Sequence, residues 1–264
     1  MLPHARDEVQ ALADNCAVVS LESNNGWDVE QWHLTDDDVT RAVAAYQAIL
    51  SISLDDELDA LLVELEIDRL GPPPVTKQHA KVARADAIEL VAAATVVSVE
   101  QTHLDNLYMP NVPKMSEAKS DSGIDVIGVE LDPTTTGPIV AGERLILVSV
   151  KHTIQKHASG MRDLLEKSVD DDLTLAYLYR QLITVNGRMK EQGLGEGANR
   201  VMHFLGQVGT PNVRIVCVGA ASPTPACNLD DQPSLLSPSN KPDAHFRMLF
   251  VPGLETLHDQ LVPK

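Results

Sequence analysis

The 264-residue sequence predicts an α/β fold in which a mixed β-sheet is flanked by helices. Three observations favour this class. Residues 77–107 carry apolar side chains at helical spacing, residues 145–150 are continuously apolar as in a central strand covered on both faces, and two further apolar strand patterns follow at 213–218 and 245–251. Helices and strands therefore alternate through the larger, C-terminal part of the chain.

The first 74 residues predict an acidic helical subdomain. Thr35 and three aspartates precede apolar residues at three- and four-residue intervals, which is the pattern of a capped amphipathic helix. A second helix is predicted at about 55–67, and it ends at Gly71 and the three prolines that follow. We therefore place a domain boundary there, with a second domain over residues 75–264.

The second domain also contains weaker elements. The pattern at 123–129 is that of a β-strand, and the proline- and threonine-rich stretch 133–138 predicts a loop. A helical region is predicted at about 161–192, interrupted at 170–172 and ended by the glycines at 193–197. A short helix at 253–261 completes the chain.

The net charge of −17 argues against strong unaided DNA binding, but this charge is unevenly distributed. Residues 1–76 hold 16 acidic and 3 basic residues, a balance of −13. The low aromatic share, 3%, disfavours a stacking platform for single strands. Contact with phosphates needs a local basic face. Its candidate residues are Lys151, Lys156, Arg162, Lys167, Arg180, Arg188, Lys190 and Arg200.

The N-terminus and the cysteines predict a cytoplasmic protein. The first ten residues lack a basic region followed by an apolar run, and the longest mostly apolar stretch, 90–97, is too short to span a bilayer. No membrane partner is therefore expected. The three cysteines are widely scattered and form neither a CxxC pair nor an even disulfide set, which predicts reduced thiols.

Four side chains and one carbonyl form a candidate catalytic site. They are Glu89 on the predicted helix, Asp125 in a Gly-Ile-Asp sequence, and Ser149, Val150 and Lys151 at the end of the apolar strand. Strand side chains alternate, so Ser149 and Lys151 should share a face. Carboxylates and the Val150 carbonyl are oxygen ligands suited to Mg²⁺, and a lysine beside them could orient a water and stabilise charge on a phosphate.

This order of residues resembles the PD-(D/E)xK nuclease superfamily over about residues 77–220. Its members combine a helical Glu, an Asp in GxD and a (D/E)xK strand, which correspond to Glu89, Asp125 and Lys151. Ser149 stands where the family usually has an acid. The resemblance implies a restriction-endonuclease-like mixed sheet and a DNA phosphodiesterase that uses Mg²⁺ or Mn²⁺.

Within this superfamily, the segments 123–128 and 149–153 look like the stand-alone effector nucleases of bacterial anti-phage defence, such as the HamA type. That resemblance implies DNA as substrate and restraint by a protein partner, such as a helicase, or by a homo-oligomeric state. One alternative is a non-catalytic interaction subunit that keeps the fold. Another is a metabolic α/β enzyme, because basic residues that could contact DNA are few in this acidic chain. Each residue also has a plain structural interpretation, as a turn aspartate or a strand-end lysine.

Overall fold

A seven-stranded mixed sheet organises the residues that the computed structural model describes, which are 5–15, 20–24, 27–49, 77–109, 124–153, 175–222 and 244–261. The strands are β1 (Ser20–Asn24), β2 (Trp27–His33), β3 (Leu107–Tyr108), β4 (Val126–Glu130), β5 (Arg144–Thr153), β6 (Val213–Ala221) and β7 (Ala244–Phe250). Their order across the sheet is β1-β2-β7-β6-β5-β4-β3. The central strands β5, β6 and β7 match the three apolar patterns of the sequence.

Parallel and antiparallel pairs both occur in this sheet. β2, β7, β6 and β5 run parallel to one another, whereas β1 is antiparallel to β2 and β3 and β4 continue antiparallel from β5. The predicted α/β class, with a mixed sheet flanked by helices, is therefore confirmed at this level.

Helices cover the sheet on both sides. They are α1 (Arg6–Asn15), α2 (36–49), α3 (Lys77–Glu100), α4 (Leu175–Glu191), α5 (Gly195–Val201) and α6 (Leu257–Leu261). α2 begins as predicted. The Asp38 N–H donates to Thr35 Oγ1 at 3.2 Å, and the Thr35 N–H donates to Asp38 Oδ2 at 2.8 Å, which is a reciprocal cap.

α3 and the last helix are shorter than predicted. The apolar spacing continues past residue 100, but Gln101 adopts a positive φ of 55°, a left-handed conformation that ends a helix. The last helix occupies only Leu257–Leu261 of the predicted 253–261. Gly193 also has a positive φ, 79°, and ends α4 as predicted, while the glycines after it begin α5. No helix within the described ranges is long and apolar enough to cross a membrane.

Strands occur in the N-terminal segment that was predicted to be helical. β1 and β2 form a hairpin, and β2 pairs in parallel with β7, so they extend the same sheet. Buried residues of α1 and α2 belong to the same apolar cluster as those of α3. The predicted helix at 55–67 and the predicted boundary at residues 71–74 lie outside the described residues.

Two apolar layers flank the sheet and define its faces. α3 packs on the face that carries Val148 and Val150 of β5, with Val216 and Val218 of β6. α4 and α5 pack on the opposite face, which carries Leu145 and Leu147 of β5. Alternate residues of one strand therefore point to different helices.

Candidate functional site

Asp125 lies at the start of β4, where the pairing with β5 is irregular. Its N–H donates to the Val148 carbonyl at 2.8 Å, although Val126 is the residue paired with Val148. Two residues of one strand thus oppose one residue of the other, which is the arrangement of a β-bulge. Bulges redirect side chains at strand ends, and the Asp125 side chain is 7% exposed.

A hydrogen bond joins Asp125 to the strand that carries the predicted lysine. The Val150 N–H donates to Asp125 Oδ2 at 2.7 Å. A bond of this length to a carboxylate is a strong, charge-assisted one. The carboxylate thus occupies the place where β4 would otherwise offer a backbone acceptor, and it connects the Gly-Ile-Asp sequence directly with Ser149–Lys151.

The Val150 carbonyl is directed to the same side as Asp125. In an antiparallel ladder, the N–H and C=O of one residue point to the same neighbouring strand. Because the Val150 N–H reaches Asp125, its carbonyl also points towards β4, beyond the last paired residue, Val126. A carboxylate and a carbonyl oxygen are therefore available at one end of the β4–β5 pair.

Ser149 and Lys151 share a face of β5, as predicted from strand alternation. Ser149 pairs with Cys217, whose side chain belongs to a cluster on the face opposite α3. Lys151 pairs with Gly219, two residues further along β6. Ser149 is buried, and Lys151 is partly exposed. Both flank Val150, whose side chain points to α3.

Glu89 approaches from α3, on the other face of the sheet. It is 3% exposed. The helix residues around it, Ala87, Ile88 and Val91, line a small apolar pocket with Val251, which directly follows β7. This part of α3 therefore lies near the end of the sheet where β5, β6 and β7 terminate. Glu89 reaches that end from the face opposite to Ser149 and Lys151.

The donor chemistry fits a hard cation. Mg²⁺ needs only one or two carboxylates and completes its shell with waters or substrate oxygens. Asp125 and the Val150 carbonyl are such oxygens, and Glu89 is the other carboxylate of the predicted set. No group of three or more His, Cys, Asp or Glu side chains that could hold a metal occurs in the described part of the chain.

Two arginines of the predicted basic face bind other groups of the protein. Arg200 is buried and forms an ion pair with Glu143 at 2.6 Å, and Arg188 donates to the Met109 carbonyl at 3.1 Å. Arg180 and Lys190 on α4 are exposed. Lys156, Arg162 and Lys167 lie outside the described residues.

The sequence interpretation missed a buried charge cluster at the end of α3. Glu100 contacts Arg247 at 2.6 Å and Arg214 at 2.6 Å, and its backbone carbonyl accepts a hydrogen bond from Arg144 at 2.8 Å. Arg247 also contacts Glu30 at 2.6 Å, and Arg144 contacts Glu130 at 2.6 Å. A signal existed in the sequence, because Arg214 and Arg247 each interrupt an apolar strand pattern, where a charge needs a partner.

Comparison with known proteins adds no family assignment. No protein-family model matches the chain, and neither does any curated protein.

Proposed function

We propose that this protein is a metal-dependent DNA phosphodiesterase of the PD-(D/E)xK type, with its site where β4 begins and β5 ends. The observation that supports the proposal most is the 2.7 Å hydrogen bond from the Val150 N–H to Asp125. This hydrogen bond joins the Gly-Ile-Asp segment to the strand segment Ser149–Lys151, and a nuclease of this type requires both segments. A solvated turn aspartate would not need to reach a buried backbone amide of another strand.

Each residue has a distinct role in this proposal. Asp125, the Val150 carbonyl and Glu89 would hold Mg²⁺ or Mn²⁺, which lowers the pKa of a bound water and neutralises phosphate charge when present. Lys151 orients the attacking water and stabilises negative charge that develops on the phosphate. Ser149 contributes a neutral hydroxyl on the same face of β5 as Lys151.

The proposal is tested by cleavage of plasmid and genomic DNA with Mg²⁺. Lys151→Ala should reduce the cleavage rate by roughly 10²–10³-fold while the fold persists, because a partly exposed strand-end lysine contributes little packing. Asp125→Asn should have a similar effect, and it keeps an acceptor oxygen for the Val150 N–H. The matched control is Arg41→Ala on α2, a basic residue that is partly exposed like Lys151 but lies outside the candidate basic face, and it should retain wild-type activity. Wild-type cleavage by Lys151→Ala would contradict the assignment.

We further propose that the nuclease is an effector of anti-phage defence held inactive by a partner, such as a helicase, or by homo-oligomerisation. The acidic N-terminal residues support this proposal, since they could dock another subunit or compete with DNA phosphates. Cleavage should therefore be measured with and without the protein encoded beside this gene, on samples whose mass in solution is known. Equal cleavage in all states would contradict the restraint.

A non-catalytic interaction subunit is the second candidate. Ser149 favours it, because a hydroxyl is a weaker Mg²⁺ ligand than the usual carboxylate. Isothermal titration with Mg²⁺ or Mn²⁺ separates the two candidates. Uptake that is lost in Asp125→Asn supports the enzyme, whereas partner or DNA binding without metal uptake supports the subunit.

A further inference from the structure

One buried carboxylate connects α3 to three neighbouring strands. Arg247 of β7 and Arg214 of β6 each contact a carboxylate oxygen of Glu100 at 2.6 Å, and Arg144 of β5 donates to its backbone carbonyl at 2.8 Å. The Glu100 side chain is 1% exposed, and that of Arg247 is 0% exposed. Arg247 also donates to Thr95 Oγ1, one turn earlier on α3, at 3.3 Å. These contacts all hold the C-terminal end of one helix, and those of Arg247 and Arg144 are hydrogen bonds with a defined direction.

The apolar packing of α3 is less directional than these contacts. Its buried surface carries alanine at positions 83, 87, 92, 93 and 94 beside Ile88, Leu90, Val91 and Val96. Towards the other end of the helix, Arg84 donates to the Glu255 carbonyl at 3.3 Å. Apolar attraction is non-directional, so it opposes a shift along the helix axis less sharply than hydrogen bonds do. Charge-assisted hydrogen bonds with fixed geometry are sensitive to the same shift.

We propose that Glu100 is a positioning residue, which fixes α3 along its axis and thereby holds Glu89 at the end of the sheet that carries Asp125. Glu89 lies 11 residues before Glu100, hence about 16 Å along the helix and only about 20° around it. Both therefore lie on the side of α3 that faces the sheet. A displacement of α3 at Glu100 also displaces Glu89, because a helix is rigid along its axis. The catalytic part of this inference rests on the proposed function, and the positioning part does not.

The test uses a variant that preserves the charge and changes the length. Glu100→Asp keeps the ion pairs but is shorter by one methylene, about 1.5 Å. If Glu100 positions the helix, α3 shifts towards the arginines to keep these ion pairs. Mg²⁺ affinity by isothermal titration should fall about tenfold, the scale seen when support for a ligand is altered, while the midpoint of urea denaturation changes little. A crystal structure of the variant should show α3 displaced along its axis relative to β5.

The matched control is Glu143→Gln, which disrupts the other buried Glu–Arg pair in the described part of the chain without touching α3. It should lower the urea midpoint and leave Mg²⁺ affinity within twofold of wild type. If Glu100 has a purely structural role, Mg²⁺ affinity should fall in each variant only as far as the urea midpoint falls. That result would overturn the proposal. If Glu100→Asp fails to fold, Arg214→Lys weakens the ion pair with Glu100 more mildly. Unchanged Mg²⁺ affinity in a folded Arg214→Lys protein also overturns the proposal.

The two proposals fail separately. If the wild-type protein neither takes up Mg²⁺ nor cleaves DNA, the proposed function fails, and the crystal structure of Glu100→Asp alone decides the positioning role. An undisplaced α3 in that structure overturns it.

Discussion

At the scale of single residues, Glu89 and Ser149 distinguish an active site from a decayed one. Glu89 is nearly fully buried on an apolar helix, where an ionised carboxylate is costly without compensation. We expect Glu89→Gln to reduce Mg²⁺-dependent cleavage nearly as much as Asp125→Asn. Ser149→Ala should cost far less, because a neutral hydroxyl adds little to two carboxylates and a carbonyl.

The same cleavage assay can also contradict the assignment of Glu89. Full activity of Glu89→Gln removes the helical glutamate from the site. Ser149→Glu provides the complementary measurement, because it supplies the acid that PD-(D/E)xK nucleases usually carry at the corresponding position. A large gain of cleavage in that variant, together with indifference to Glu89→Gln, indicates that Ser149 marks a weakened site.

His245, on β7, makes the stability of the fold sensitive to pH. Burial lowers the pKa of His245, and Arg214, whose Nη2 lies 3.0 Å from Nδ1, lowers it further. Glu100 and Glu30 oppose this shift, and Arg247 adds to it. The imidazole therefore remains neutral in the folded protein at a pH where the unfolded chain, with an ordinary pKa of about 6.5, already binds a proton.

The sign of the pH effect follows from this difference. The contribution of His245 to stability is fully present above about pH 6.5 and is lost as the pH falls below it, because the unfolded state then binds more protons. His245→Asn should flatten the decline in unfolding free energy below about pH 6.5, measured by urea denaturation at several pH values. His203→Asn, at an exposed helical position, is the control. An unchanged pH dependence in His245→Asn contradicts this role.

At the scale of elements, a buried ion pair closes the connection between β4 and β5. Glu143 accepts hydrogen bonds from the N–H groups of Asp132 and Val140, both at 2.9 Å, and from Arg200 at 2.6 Å. Arg200 also donates to three carbonyls of the same connection, those of Asp132, Gly137 and Pro138. Burial acts to raise the pKa of Glu143, but these hydrogen bonds outweigh it and the pKa is lowered.

Glu143→Gln should therefore lower the free energy of unfolding by about 3 kcal/mol, because it leaves the Arg200 charge buried without its partner. Urea denaturation measures this loss. DNA cleavage per folded molecule should stay at the wild-type level, since the pair lies at the opposite end of β5 from Lys151. A stability equal to that of wild type would mean that water or a neighbouring group replaces the carboxylate.

The elements that the sequence predicts well are those with a local cause. β5, β6 and β7 are apolar runs, and α2 has its own cap, so their patterns are visible without knowledge of the fold. β2 reads Trp-Asp-Val-Glu-Gln-Trp-His and pairs with β7, more than 200 residues later, so its strand state depends on a partner that the local pattern cannot reveal.

The candidate site shows the same division. The types and order of Asp125, Ser149 and Lys151 are readable from the sequence, and so is the shared face of the latter two. The Val150–Asp125 hydrogen bond is not readable, because it depends on a bulge at the start of β4. Nor is the Glu100 cluster, which joins residues from α3 and three strands only after the sheet has formed.

At the scale of the whole molecule, the acidic N-terminal residues are partly integrated into the main sheet. β2 supplies Glu30, which contacts the fully buried Arg247 at 2.6 Å, and α1 packs against α3. Arg247 thus contacts one carboxylate from each of the two predicted domains, Glu30 and Glu100. The first 76 residues carry a net charge of −13, and their described parts are therefore not a detached tail.

Deleting residues 1–33 should consequently destabilise the whole protein instead of releasing an active nuclease. The deletion removes α1, β1 and β2, exposes the paired edge of β7, and takes one partner from a buried arginine, a loss that by itself costs about 3–5 kcal/mol. Circular dichroism and size-exclusion chromatography of the truncated chain should show loss of cooperative unfolding and aggregation. Glu30→Gln separates the two causes, because it keeps the strand and removes only the charge, and it should lower stability without aggregation. A soluble truncated chain that unfolds cooperatively near the wild-type temperature would instead mean that residues after the hairpin fold independently, and would support a regulatory role for the acidic segment.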